Sequence, residues 1–274
     1  MNKNTKMIFL DLDGTLMDDK KLIPESNLSA IREALQKGHK VILCTGRPLC
    51  SAKNLFPMLN MEQEGCYAIT FNGGLIYDIY HKKTIFKKTL PLEYARYIFK
   101  KAEEHQIYMQ TYSDDEILCH KDMKEGQDYS TRLKIERAIV PDVFEALGDK
   151  EPCKTLAIAD GYNHKLLEDF RAVFADWAPG KVDIFFSCYE YLEFVPVGIS
   201  KGAAIRFLAD YLNIPIENTI AVGDAENDIP MIKAAGLGVA MKNASDDIKH
   251  YADYVTELDN NQGGVGEVIR KFML

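Results

Sequence analysis

Two aspartates at Asp11 and Asp13 stand at the end of the apolar run Met7-Ile8-Phe9-Leu10, with Leu12 between them and Gly14-Thr15 after them. An unbroken apolar run reads as a strand of a parallel sheet buried on both faces. Residues i and i+2 of a strand project to one side, so the two carboxylates are expected to face the same space. The carboxyl edge of such a sheet is where α/β folds place their ligands. A lone Asp-x-Asp-Gly is also an ordinary strand end followed by a turn, because Gly14 lets the chain bend sharply. Three further polar groups end other elements: Thr45-Gly46-Arg47 after Lys40–Cys44, Lys201 at a helix start, and Gly223-Asp224 with Asn227-Asp228 after Thr219–Val222.

The elements that must position these groups follow from periodicity. Leu28, Ile31 and Leu35 mark a helix that stops at Gly38. Lys40–Cys44 reads as a buried strand, a helix runs through Met58, and Cys66–Phe71 is the third strand, closed by Asn72-Gly73-Gly74. Strand and helix thus alternate three times, the signature of a doubly wound parallel sheet. The rhythm changes after a short hairpin over residues 75–88. Residues 87–189 hold a helix after Pro91, adjacent strands near Ile107–Tyr112 and Ile117–His120, a charged stretch over 121–140, and further strands and a helix. That pattern predicts an α+β insert. From Tyr191 the parallel style is expected to return, with Leu192–Val197 as its first strand and Ser200-Lys201-Gly202 opening a helix. The fold class is therefore an α/β doubly wound core, residues 1–86 and 190–274, interrupted by an α+β domain over 87–189.

The chain has 274 residues, 47% of them hydrophobic, and a net charge of −8. An acidic chain without a Lys/Arg run is not expected to bind nucleic acid. No apolar run approaches a membrane span, and Met1–Lys6 lacks the pattern of a signal peptide. Six dispersed cysteines without a C-x-x-C pair read as reduced core residues, which places the chain in the cytoplasm. The six histidines form no zinc-binding group.

The order D-x-D-G-T (Asp11–Thr15), Thr45, Lys201 and Gly223-Asp224 resembles the four motifs of the haloacid dehalogenase-like (HAD) superfamily hydrolases. The large insert, Asn72-Gly73-Gly74, Ser200-Lys201-Gly202 and Gly223–Asp228 are similar to the Cof-type subfamily of sugar and small-metabolite phosphatases. That resemblance implies a Mg²⁺-dependent phosphomonoesterase with Asp11 as nucleophile and Asp13 as general acid and base. It implies metal ligation by the Asp11 carboxylate, the Asp13 carbonyl and Asp224. It further implies a phosphate cradle of the Leu12 backbone, Thr45, Gly46, Lys201 and Asn227, and an insert that acts as a cap and reads the leaving group. His120, Lys121, Lys124, Arg132 and Tyr189 are the cap's polar candidates, and Arg47 and Asp228 candidates for substrate or supporting contacts.

Taken singly, Thr45-Gly46 is also a plain strand-to-helix turn and Lys201 a solvated helix-start residue. Asp228 is equally an N-cap, and Arg47 a surface or salt-bridged residue. Two other functions stay open: a sugar phosphomutase with the same motifs, and a non-catalytic ligand-binding domain on this fold. The expected partner is a small phosphorylated metabolite, and the expected state a monomer or small homo-oligomer.

Overall fold

The computed structural model describes residues 5–274, so the Met1–Asn4 part of the leader reading lies outside the described residues. The chain divides into two compact units, one of residues 1–46, 54–86 and 200–274, the other of residues 47–53 and 87–199.

In the first unit the described residues form an eight-stranded sheet. Its order is Tyr254–Val255, Leu237–Ala240, Thr219–Gly223, Met7–Leu10, Lys40–Cys44, Cys66–Thr70, Leu75–Asp78 and Lys83–Lys87. The first six strands run parallel and Leu75–Asp78 turns back antiparallel on Cys66–Thr70. Met7–Leu10 is central and wholly buried, as its unbroken apolar sequence requires. Because its neighbours are parallel, Asp11, Thr45, Phe71 and Asp224 all leave the sheet at one edge.

The helix Glu25–Gln36 buries Ala30, Ile31, Ala34 and Leu35, and a polar residue, Asn27. Asn27 is satisfied on both sides: its amide donates to the Leu16 carbonyl at 3.1 Å and accepts from Gly266 N–H at 2.7 Å. It ties the loop after the central strand to the C-terminal helix Gly264–Phe272. That helix was not legible in the sequence, since Gly264 and Gly266 depress helix propensity and hide the Val265, Val268, Ile269 face.

Other elements differ from expectation. The helix expected to reach Met58 ends at Lys53 and gives way to turns. The weakly patterned stretch 121–140 contains the helix Lys124–Leu133 and the strand Arg137–Ile139. Tyr191–Pro196, expected to reopen the parallel core, instead pairs antiparallel with both Val182–Cys188 and Thr155–Ile158. The second unit therefore continues to Ile199, not 189, and the core resumes at Ser200.

The second unit's sheet has six strands among the described residues. They run Val182–Cys188, Tyr191–Pro196, Thr155–Ile158, Tyr108–Tyr112, Ile117–Cys119 and Arg137–Ile139. Met109, Leu118, Ala157, Leu192 and Phe194 pack with Ile98 and Phe99 of the helix Leu92–Glu104 and with Leu167 and Phe170 of the helix His164–Ala172. Strand alternation turns Tyr108, Gln110, Tyr112 and Glu193 to the other face. There they form a buried polar chain. Tyr108 donates to Gln110 at 3.0 Å, Gln110 to Tyr112 at 3.2 Å, and the Tyr112 and Tyr129 hydroxyls lie 2.7 Å apart. Beside them the buried Lys154 ammonium donates to Glu193 at 3.0 Å.

Removing one partner of a buried ion pair strands the other charge and costs about 3–5 kcal/mol. Glu193→Gln is expected to lower the free energy of unfolding by that much, whereas Lys154→Met/Glu193→Leu retains most of the stability. Equal losses in the single and double variants, measured by denaturant titration, would contradict this.

Candidate active site

The central strand stops at Leu10, so Asp11 to Asp13 lie in a turn, and the same-side geometry expected of a strand does not apply. The turn is set by Leu16 N–H donating to the Asp11 carbonyl at 3.2 Å and Met17 N–H to the Leu12 carbonyl at 2.9 Å. Gly14 completes it at φ +82°, and a Cβ there would lie 2.3 Å from an Asp224 carboxylate oxygen. The position needs glycine for both reasons.

The two acids differ in burial and in partners. Asp11 is buried, whereas the Asp13 carboxylate is half-exposed and takes the Lys21 ammonium at 2.7 Å. Asp11 instead meets groups from distant segments. The helix Lys201–Tyr211 begins at Ser200, whose hydroxyl accepts from Ala203 N–H at 3.1 Å. Lys201 follows in the first turn and is buried. Its ammonium donates to Asp11 Oδ1 and to Asp228 Oδ1, each at 2.5 Å. No described residue donates to Asp11 Oδ2. Lys201 is thus not a solvated helix-start residue.

Asp228 does not cap the helix that follows it. Its Oδ2 turns back and accepts the Asp224 and Ala225 N–H groups at 2.9 and 3.0 Å. With Oδ1 on Lys201, it ties that lysine to the loop that holds Asp224. Thr15 donates to Asp224 Oδ1 at 2.6 Å, and Asn243 donates to the Gly14 carbonyl at 2.8 Å. Sequence reasoning missed both. Thr15 was visible within Asp11–Thr15, and Asn243 just after the strand Leu237–Ala240 at the sheet edge.

Asp11, Asp224 and Asp228 each place a carboxylate oxygen within 4.8 Å of the others. Burial pushes the Asp11 carboxyl well above the usual range against the pull of Lys201, and Asp228 and Asp224 push it the same way. Burial, then Asp228, pushes Asp224 up to about 7, against the Thr15 hydrogen bond. Burial opposes the Lys201 charge, but Asp11 and Asp228 outweigh it and hold its pKa above the ordinary value. Three carboxylates share one ammonium. An all-oxygen, negatively charged set of this kind fits a hard divalent cation. Both Asp228 oxygens are already engaged, so Asp11 and Asp224 are the side chains that could ligate it.

The remaining sequence candidates fall as follows. Thr45, buried, accepts at its carbonyl from Asn72 N–H at 3.1 Å. Asn227 donates to Asn72 Oδ1 at 3.2 Å. Arg47 is buried and grouped with the second unit. In that unit Lys121 and Lys124 are exposed. The Arg132 guanidinium lies 4.9 Å over the Tyr191 ring and donates to its hydroxyl. Tyr189 stacks on His164 at 4.4 Å, and the buried His120 Nε2 has no hydrogen-bond partner among the described residues.

Residues 8–269 match the family model of haloacid dehalogenase-like hydrolases. A Bacillus subtilis protein named 5-amino-6-(5-phospho-D-ribitylamino)uracil phosphatase is 33% identical over 98% of this chain and 96% of its own length. A haloacid dehalogenase-like hydrolase from Bacteroides thetaiotaomicron superposes with a TM-score of 0.90 at 31% identity, covering 97% of this chain and 99% of that one. A structure described as a HAD subclass IIB sugar phosphatase has a TM-score of 0.82 at 25% identity, over 98% of this chain and 99% of that one.

Residues that orient metal ligands typically contribute on the order of 10–100-fold to metal affinity. Asp228→Asn presents an amide N–H₂ to either Lys201 or the loop amides, so a loss of that size is expected for divalent cations. The metal-dependent rise in unfolding temperature reports it. A rise equal to the wild type's would show that Asp228 does not organise the site.

Proposed function

This chain belongs to the haloacid dehalogenase-like hydrolases, and from that membership and the charges around Asp11 we propose a Mg²⁺-dependent phosphatase of small phosphorylated metabolites, sugar phosphates among them, working through an aspartyl-phosphate. The observation that carries the reading is Lys201, buried and 2.5 Å from both Asp11 and Asp228. A phosphoryl group needs an in-line nucleophile, balancing of its equatorial charge, and a proton for the departing oxygen. The site supports each need.

Lys201 fixes Asp11 through Oδ1 and leaves Oδ2 as the attacking atom. The bond from Oδ2 to phosphorus forms as the bond to the leaving oxygen breaks. Asp13 gives that oxygen its proton, then takes one from the water that cleaves the acyl phosphate and restores Asp11. Its half-exposed position leaves it open to both alcohol and water, while the Lys21 contact favours the carboxylate form that the second step uses as base. Lys201, the Thr45 hydroxyl, the Gly46 N–H, the Leu12 backbone and the Asn227 amide are assigned to the phosphoryl oxygens. A cation at the first turn of a helix adds to the positive end of the helix dipole, which favours an anion.

Mg²⁺ held by the Asp11 and Asp224 carboxylates and the Asp13 carbonyl would balance the charge of the transferring group. Residues assigned to the phosphoryl group carry no information about the alcohol, so the second unit is assigned the role of a cap that reads it. The named relatives, a phosphoribitylamino-uracil phosphatase and a sugar phosphatase, favour hydrolysis of a small phosphomonoester over a mutase.

A phosphate-release screen over phosphorylated metabolites, with Asp11→Asn as the blank, is the test. Asp11→Asn is expected to remove turnover while leaving the unfolding temperature near that of the wild type. EDTA is expected to stop turnover and Mg²⁺ to restore it, with Asp224→Ala raising the Mg²⁺ requirement. Undiminished release by Asp11→Asn, or in metal-free buffer, would sink the nucleophile or the metal respectively.

A further inference from the structure

The turn Phe71-Asn72-Gly73 ends the third parallel strand with three successive residues at positive φ, 52°, 57° and 108°. Glycine adopts such angles freely and asparagine tolerates them, but a phenylalanine there is a true outlier. Local strain of this kind persists only where the surroundings over-determine the backbone. Here they do. Phe71 and Asn72 are both buried, and a Cβ on Gly73 would come within 2.4 Å of the Ser200 carbonyl oxygen. The turn is therefore packed against the residue that starts the Lys201 helix.

Its side chain faces the uncharged groups of the site. Asn72 N–H donates to the Thr45 carbonyl at 3.1 Å, and Asn72 Oδ1 accepts from Asn227 Nδ2 at 3.2 Å. A Cβ on Gly46 would meet the Asn72 amide at 3.0 to 3.3 Å, so the Asn72 side chain lies close against that turn. One buried amide thus touches the Thr45-Gly46 turn and the Asn227 side chain, which lie 182 residues apart in sequence (45 to 227).

We propose that Asn72 is a positioning residue for the neutral half of the phosphate cradle. An amide nitrogen carries two hydrogens. Fixing one of the Asn227 pair on Asn72 sets the direction of the other, and the Asn72 backbone N–H on the Thr45 carbonyl keeps the Thr45-Gly46 turn in register with it. A neutral acceptor does this without adding a fourth negative charge near Asp11, Asp224 and Asp228. The inference rests on the phosphatase reading above.

Asn72→Gly keeps the left-handed backbone accessible and removes only the amide, while Asn72→Asp keeps its size and an acceptor but adds charge. For each, KM and kcat for p-nitrophenyl phosphate, the inhibition constant of inorganic phosphate, the Mg²⁺ half-activation concentration and Tm are measured. Both variants are expected to raise KM and the phosphate inhibition constant by about tenfold, Asn72→Asp the more. For Asn72→Gly, Tm and Mg²⁺ half-activation should stay close to wild type, whereas the buried charge of Asn72→Asp lowers Tm and shifts the Mg²⁺ response. Adding Asn72→Gly to Asn227→Ala is expected to cost little more than Asn227→Ala alone, as groups acting in one unit do.

A phosphate inhibition constant unchanged in Asn72→Gly, fully additive losses with Asn227→Ala, or losses that merely track a fall in Tm would each overturn the proposal. Asn72→Asp decides by the first two criteria if Asn72→Gly does not fold. A wild type that releases no more phosphate than Asp11→Asn removes the phosphatase reading itself. An active, phosphate-inhibited wild type with indifferent Asn72 variants overturns this inference alone.

Discussion

One buried ammonium governs this structure. Lys201 has lost its water and is held between Asp11 and Asp228 at 2.5 Å from each. A buried charge survives only when it is paired and hydrogen-bonded. The surrounding architecture supplies those partners from two places, the end of the central strand and the loop after Thr219–Gly223, and the lysine itself from the first turn of a helix. The parallel sheet brings the strand ends to one edge. Gly14 lets Asp224 approach, and Gly202 lets the lysine's helix pack against Pro230, since a Cβ at Gly202 would lie 2.2 Å from the Pro230 carbonyl oxygen. Asp228 then joins lysine and loop in one hydrogen-bonded set. The surplus of carboxylates over ammonium makes the site acidic by itself and suited to a cation.

Much of this was legible in the sequence. The unbroken apolar runs gave the buried parallel strands, and the joint order of Asp11, Thr45, Lys201 and Asp224 gave the hydrolase family. What sequence could not give was the direction of side chains in turns. The strand ends at Leu10, before either acid, so the spacing of Asp11 and Asp13 is set by the turn rather than by strand alternation, and Lys21 on Asp13 was not anticipated. Asp228 resembled a helix cap because position before a helix is visible in sequence, and the backward reach of its carboxylate is not.

The second unit was harder to read for a different reason. Its sheet is largely antiparallel and one face carries Tyr108, Gln110, Tyr112 and Glu193 in a buried polar chain. The strands that carry these residues were nonetheless read from sequence, and what escaped was the helix Lys124–Leu133 and the short strand Arg137–Ile139 in the charged stretch, whose apolar residues are too few to set a period. Tyr191–Pro196 failed in the opposite sense. Its apolar content matched the parallel core, and only pairing with Thr155–Ile158 assigns it to the other sheet. Strand partners are set by tertiary packing, which a local pattern does not contain.

The central claim is that Asp11, steadied by Lys201, becomes covalently bound to phosphorus while Asp13 serves both proton transfers. Asp13→Asn separates the two steps. With p-nitrophenyl phosphate the leaving group needs little protonation, but the second step still needs a base to activate water. Rapid acid quenching of that variant, followed by mass spectrometry, is expected to show a burst of nitrophenolate near one equivalent per site. One phosphoryl group should be found on the peptide containing Asp11. No burst and no phosphopeptide, with alkyl and nitrophenyl substrates slowed alike, would contradict both roles.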